Sequence, residues 1–565
     1  MKIHTKIIAV CSLAFAMATS CTEDFGEMNT PKDLITEEVV QLDMLFARVL
    51  ARSVIVNEET GFGTVGNWSG MSISGANRPF EQGEDNTVWD RTYTDYIRNL
   101  SDIIHISTRR EDADNLVNQR AMARILKVWV FAKATDTYGD IPYFESALPV
   151  EQAVKTPKYD SQRDIYLDLF KELKEAVAEL DDAKPKFTNA DFLYGGDLGK
   201  WKKFANSLRL RLALRVRYAD ETMAREQMAD LEEEDLITTR DDDASIYNID
   251  DYPDHENPRY RDLLARKATV VKPTVPKTFL DILKNNNDPR LAVFADTARA
   301  EFPQTPGYEH IDYFGYRGRP LIAGEDPGAS YAFCCNSTSQ WSDLLYVQIQ
   351  EQPLYKSSET YFNLAEAALF ELKGSPQDAQ PYFKMGIQRA LEHTKALYED
   401  AIPQLPEVVA LFGAGKPEAE IESILQSVID SKAIKQADID AFLQSDAVVL
   451  TGSDENKLEQ IINQKMVAFF PMEHEAWADY RRTGYPRVQV GGSNLEMDGK
   501  MPRRIIWPGA EQLLNGEQYQ IARQNLGGED KRTSRFWWDA NPDPFKPHPD
   551  PVERIDLPWE DWVSN

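Results

Sequence analysis

The chain has 565 residues, 42% of them hydrophobic and 27% charged, a composition that suits a folded globular body rather than a disordered one. Its formal charge of −29 repels nucleic-acid phosphates and anionic lipid headgroups, so nucleic-acid binding is excluded as its role. Four cysteines in this length exclude a disulfide scaffold, and none has the spacing to histidine that a zinc site requires.

Lys2 and Lys6 precede a short apolar run, Ile7 to Ala18, which cannot span a bilayer. The run closes on Ala18-Thr19-Ser20-Cys21, three small residues and a thiol. This resembles a bacterial lipobox and implies a cleaved signal peptide over residues 1–20, with a lipid on Cys21 and a polar tether over 21–37. Lys2 and Lys6 leave with the leader, so the charge of −29 becomes −31 in the mature chain. Glu23 and Asp24 are similar to the surface-export signal of Bacteroidetes lipoproteins. No later apolar run reaches membrane-spanning length, so the lipid is the expected anchor. Cys334 and Cys335 are adjacent and cannot staple distant segments.

Residues 38–565 form one expected body. Asp160 to Asp181 is periodic: Ile165, Leu169, Leu173, Ala176 and Leu180 share a helical face, and Ser161 with Asp164 makes a capping box. Trp201, Phe204, Leu208 and Leu212 mark the next helix. Arg209, Arg211, Arg215 and Arg217 decorate it, as solvated caps or ion-pair partners suited to the helix dipole. A second helix pair runs over residues 358–395, its first helix ending at Gly374 and its second starting at Ser375-Pro376-Gln377-Asp378. Ala365, Ala368, Gly386 and Ala390 allow close approach, the logic of tetratricopeptide (TPR) repeats. A third pair covers 457–484, with Gly484 and Pro486 as its stop, and the first region of pairs spans about 120–220. Residues 401–452 read as a helical insertion. Residues 220–350 are rich in Asp, Pro, Tyr and Gly with little periodicity, which is where function usually resides.

Motifs spread over the whole chain resemble one family. They are the lipobox, Thr137-Tyr138-Gly139-Asp140-Ile141-Pro142-Tyr143, and Gly195-Gly196-Asp197 leading to Trp201-Lys202-Lys203-Phe204-Ala205-Asn206-Ser207-Leu208-Arg209. Glu359 to Ala368, Glu475-Ala476-Trp477-Ala478-Asp479-Tyr480-Arg481-Arg482-Thr483-Gly484, Pro502-Arg503-Arg504 and Trp537-Trp538-Asp539 complete the set. In order and span they resemble the SusD/RagB-type nutrient-binding outer-membrane lipoproteins, in a divergent SusD-like branch. The resemblance implies a mainly α fold: four TPR-like helix pairs packed against an irregular, loop-rich ligand-binding region. It further implies a lid on a SusC-like TonB-dependent transporter, capture of a glycan or a peptide, and no catalytic activity.

Gly61-Phe62-Gly63-Thr64-Val65-Gly66 matches a dinucleotide fingerprint literally, but loop-like Asn67-Trp68-Ser69-Gly70 follows instead of a helix, so it reads as a surface loop presenting Trp68. The run Asp241-Asp242-Asp243 lacks EF-hand spacing and reads as a solvated acidic loop; neither a metal nor a cofactor is expected. Carboxylates are too frequent here to single out a glycosidase pair. Aromatic rings in loops are more telling, because they stack on the C–H faces of sugars while Arg, Asn and Asp bind hydroxyls. The ligand candidates are Trp68, Arg78 and Trp89, with Phe80 beside them, and Tyr313, Phe314, Tyr316, Arg317 and Trp341, with Tyr308 nearby. Core packing is the competing assignment for each ring. Trp129, Trp201, Trp477, Trp537 and Trp538 lie on stripes or family motifs and are expected to be structural. The expected function is oligosaccharide capture, with peptide capture on the same fold and a surface glycoside hydrolase as the alternatives.

Overall fold

The periodic segments are helices in the computed structural model, which describes residues 39–60, 65–71, 86–248, 257–266, 272–298, 315–319, 321–322, 338–488, 490–491 and 501–546. Among these, α1 (Leu42–Thr60), α2 (Arg98–Arg109), α3 (Val117–Tyr138), α4 (Gln162–Glu179), α5 (Leu198–Arg215) and α6 (Glu221–Met228) build the first half. Strand β1 (Ala244–Tyr247), α7 (Pro258–Arg266), α8 (Lys277–Asn285), β2 (Leu321–Ile322) and β3 (Glu351–Tyr355) carry the irregular region. Then come α9 (Ser357–Leu369), α10 (Ala379–Ala401), α11 (Leu405–Phe412), α12 (Glu418–Lys432), α13 (Gln436–Phe442), α14 (Asp454–Phe469) and α15 (Glu473–Thr483). Strand β4 (Val490–Gly491), α16 (Gly509–Leu514) and α17 (Gly516–Asn525) close the described chain. The fold is mainly α, with β1 and β3 paired antiparallel and two-residue β2 and β4 paired parallel.

Local chemistry sets the boundaries. Ser161 caps α4 by accepting from the Asp164 amide, and Asp197 caps α5 by accepting from the Lys200 amide. Ser375 and Asp378 form the reciprocal capping box ahead of α10. Gly484 ends α15 in the left-handed conformation, with φ of +83°. Helix α9 stops at Leu369, short of Gly374, because Glu371 already turns left-handed and the Leu372 amide donates back to the Ala367 carbonyl.

The helices pack mainly on their sequence neighbours, α2 on α3, α3 on α4, α4 on α5, α9 on α10 and α14 on α15, and α14 also packs on the distant α9. At the α9–α10 seam a Cβ on Gly386 would lie 2.9 Å from the Phe362 ring, so glycine sets the closeness of that pair. Two apolar cores result. One gathers α1 to α6 around Phe46, Trp201 and Phe131, and the other gathers α8 to α15 around Phe279, Trp341, Phe383 and Phe470. Phe370 and Tyr382 pack against both. Trp129, Trp201, Trp477 and Trp538 are buried as expected, and Trp537 is partly buried.

The arginines of α5 and its C-terminal flank take the second of the two expected roles, as ion-pair partners. They are not solvated caps; Arg209, Arg211, Arg215 and Arg217 are all buried. Arg211 forms a two-pronged pair with Glu359 of α9, both bonds at 2.6 Å. Arg215 binds Asp136 of α3 and reaches Glu475 of α15 at 2.6 Å. Glu366 on α9 receives both Arg217 and Arg482, and Arg482 also binds Asp479, which takes Lys465 at 2.7 Å. Near the C-terminus Arg503 pairs with Asp539, and Arg504 with Asp530 at 2.8 Å. Burial alone would raise Glu366, but the Arg482 and Arg217 guanidiniums hold its carboxyl below the usual range.

Glu366→Gln leaves two buried guanidiniums without their shared anion and is expected to lower stability by about 3–5 kcal/mol in chemical denaturation. Lys416→Ala, in the exposed Lys416–Glu420 pair on the outer surface, is expected to change it by less than about 0.5 kcal/mol.

Candidate functional site

Among the described residues of the irregular region, backbone bridges rather than a continuous sheet make the connections. The loop 315–319 is threaded between two segments: Ser339 N donates to Arg317 O at 2.7 Å, Arg319 N to Val275 O at 2.8 Å, and Lys277 N to Arg319 O at 2.7 Å. Ala298 N reaches Gly315 O at 2.9 Å, and Arg317 N reaches Ser339 Oγ at 3.0 Å. Beneath this loop lies a buried ionic clamp. Lys272 binds Asp296 at 2.5 Å and Asp343 at 2.6 Å, while Lys432, from the end of α12, binds the other Asp296 oxygen at 2.6 Å and the Ala295 carbonyl at 2.7 Å. The helical insertion is thereby tied to the irregular region. Burial would raise Asp296, yet the two ammoniums bring it down to about 2.

Among the described candidate ligand residues, Tyr316 packs against the core that holds Trp341, and Trp68 and Trp89 belong to the other core. Trp68 is 1% exposed in a short helical turn, Gly66–Ser69, and its ring lies 5.2 Å from that of Trp477. Trp341 is fully buried between Phe279 and Phe470. Trp89 is 8% exposed and packs edge-on against Tyr138. These three rings therefore serve packing, and the reading of Trp68 as presented on a surface loop is corrected: apolar area outweighed loop context. Tyr316 and Arg317 are half-buried, with Tyr316 packed against the second core and its carbonyl taking Lys284 Nζ at 3.0 Å. Burial and then the Asp296 charge push the Tyr316 phenol above its ordinary value, so at neutral pH it is a neutral donor. Cys21, Arg78, Phe80, Tyr308, Tyr313, Phe314, Cys334 and Cys335 lie outside the described residues.

Lys284 stands one residue before the end of α8, and that end forms one wall of a cleft of about 850 Å³. Asn285, Asn286, Asn287, Pro289 and Ala292 line this side; Ala433, Asp438, Ala441, Phe442, Ser445, Asp446 and Ala447 line the other, from α13 and its flanks. The asparagine turn is held firmly. Asp288 and Arg290 form a pair with both side chains wholly buried, and Arg290 passes on to Gln464 of α14. Asn285 and Asn287 are left exposed, with amides that both donate and accept. On the other side of α13 a smaller hollow of about 320 Å³ is lined by Gln388, Glu392, Lys395, Glu399, Gln436 and Asp440. The sequence reading folded Asn285-Asn286-Asn287-Asp288-Pro289 into a long irregular stretch; three asparagines before Asp-Pro are a turn signal that could have singled it out.

The acidic run also differs from expectation. Asp241 is exposed, but Asp242 is buried against Lys203 at 2.7 Å, and Asp243 turns inward to accept the Ser357 amide at 2.6 Å. It is a set of inward-facing tethers rather than a solvated loop.

The family model described as starch-binding, associating with the outer membrane (SusD-like), matches residues 28–508. Among solved structures the chain is similar to a chitin-binding protein at 25% identity and a TM-score of 0.69, covering 89% of this chain and 100% of that one. It is similar to a SusD homolog from Bacteroides uniformis at 25% identity, with a TM-score of 0.61 over 88% and 99% of the two chains. A chitin-binding SusD homolog from Flavobacterium johnsoniae shares the fold, with 24% identity and a TM-score of 0.64 over 89% and 100%. No curated protein matches the chain. Among the described residues no helix is long and apolar enough to cross a membrane.

Asp296→Asn should weaken the clamp in a pH-dependent way. The folded carboxyl is held at about 2, below an unfolded value near 3.9, so its stabilisation is full above about pH 4 and is lost as pH falls toward 2. The difference in urea midpoint between wild type and Asp296→Asn is expected to be large at pH 7 and to close across that window.

Proposed function

The chain belongs to the SusD-like family, and from that premise we propose that it is a non-catalytic surface lipoprotein that captures an oligosaccharide and delivers it to a SusC-like TonB-dependent transporter. The observation that carries the reading is the broad cleft of mixed polar and apolar lining at the end of α8. Its volume suits a small ligand, and its walls carry asparagine amides on one side and exposed Asp438 and Asp446 on the other. Amides and carboxylates are the groups that satisfy sugar hydroxyls, and Pro289, Ala292, Ala441 and Phe442 add apolar surface between them. The family description as starch-binding and the likeness to a chitin-binding protein over nearly the whole chain support a glycan as the ligand class. Anchoring is assigned to a lipid on Cys21, and the body to the extracellular side of the outer membrane. Delivery to the transporter rests on the same premise.

Titration calorimetry of the full-length protein in detergent, with chito- and malto-oligosaccharides and with lysine-rich peptides, tests the ligand class. Saturable oligosaccharide binding that weakens at least about tenfold in Asn285→Ala or Asp446→Ala, with unchanged melting temperature, is the expected result. Binding of peptides alone overturns the glycan assignment, and release of new reducing ends by pure protein overturns the non-catalytic one. Separately, Cys21→Ala is expected to move the folded protein from the membrane pellet to the supernatant after cell fractionation.

A further inference from the structure

One cluster outside the cleft has chemistry that packing does not account for. Asp243 stands just before β1, Glu351 opens β3, and His393 projects from α10. The antiparallel register places Tyr247 opposite Glu351 and Ala244 opposite Tyr355, so the two carboxylates come from opposite strands of one ribbon. His393 Nδ1 lies 3.8 Å from Asp243 Oδ2 and 3.9 Å from Glu351 Oε2. One ligand atom from each residue lies within 4.8 Å of the others.

These separations are too long for hydrogen bonds. They are close to the spacing of donor atoms around a small divalent ion, where bonds of about 2.0–2.2 Å set neighbouring ligands roughly 3.4 Å apart. Asp243 Oδ2 and His393 Nδ1 are both buried and have no hydrogen-bond partner, and the Asp243 side chain is 2% exposed. A buried carboxylate oxygen and a buried ring nitrogen that face each other without bonding call for a third body between them. The other Asp243 oxygen is already fixed by the Ser357 amide at 2.6 Å, the kind of outer support that orients a metal ligand. The neighbouring cations do not fill the gap. Lys356 commits its ammonium to the carbonyls of Ala468 and Phe470, at 3.0 and 2.6 Å, and Arg240 holds Glu351 Oε2 from outside at 3.1 Å.

We propose that Asp243, Glu351 and His393 form a binding site for one divalent cation of the zinc class. One imidazole and two carboxylates are three protein ligands, which leaves a further position for water. The ion pins the β1–β3 ribbon to α10, and so fixes the irregular region to the helical frame at a point distinct from the Lys272–Asp296–Lys432 clamp. The site is independent of the sugar cleft and stands or falls separately from the proposed function.

The test uses full-length protein in detergent, stripped with a chelator and dialysed. Calorimetry with Zn²⁺ is expected to show one equivalent bound, with a melting temperature that climbs with the logarithm of free zinc. Co²⁺ is expected to give visible ligand-field bands that Zn²⁺ abolishes. His393→Gln, Asp243→Asn and Glu351→Gln should each weaken binding at least tenfold. Circular dichroism selects the variants that fold, and because the ligands lie on three elements one folded variant suffices. Absence of a zinc equivalent in the wild type, or an equivalent that persists unweakened in a folded variant, overturns the proposal.

Discussion

Everything else in this protein rests on charges that have been taken out of water in compensated sets. A buried guanidinium without an anion costs several kcal/mol, and a pair made in good geometry roughly recovers what its desolvation loses. Such a set is therefore worth little as glue and a great deal as a constraint on arrangement. Arg211 satisfies Glu359 only if α5 lies against α9, Arg215 reaches Asp136 and Glu475 only if α3, α5 and α15 converge, and Glu366 accepts Arg217 and Arg482 only if α9 sits between α5 and α15. Helix pairs that could slide along apolar stripes are locked to one mutual register by these charges.

The same constraint explains what a linear reading captures. Caps and stripes act within a few residues, so Ser161, Asp197, the Ser375–Asp378 box and Gly484 mark real boundaries. The close α9–α10 approach followed from small residues at helical spacing. Partners for the α5 arginines were out of reach of such reasoning: Glu359 and Glu475 lie 148 and 264 residues from Arg211. Nothing local distinguishes an arginine that will be buried against a distant carboxylate from one that will cap a helix in water.

The ligand face was legible in outline only. Low periodicity located the irregular region, and the sequence favoured large rings there and in loops near the N-terminus. Trp68, Trp89 and Trp341 went to the cores because an aromatic ring in a loop still has its whole apolar area to hide, and the loops fold back to do so. Tyr316 and Arg317 remain half-exposed. The polar wall came instead from three consecutive asparagines, residues without periodicity or hydrophobic signal, made rigid by a buried Asp288–Arg290 pair and placed opposite α13 by the insertion. Opposition of two segments about 150 residues apart is a property of the fold and is absent from either segment.

The cleft is built from one wall that the arginine-locked frame supports and another that the insertion supplies. Lys432 joins them at its base through its bonds to Asp296 and the Ala295 carbonyl, and Glu407 of α11 accepts from the Tyr260 hydroxyl of α7. Within residues 405–448 Leu405, Val408, Ile439, Phe442 and Val448 are held in the second core, while Asp438, Asp440 and Asp446 face outward. A lineage built on this frame can therefore alter one wall of the cleft through exposed positions such as Asp438 and Asp446, leaving the second core and the Lys432 clamp in place.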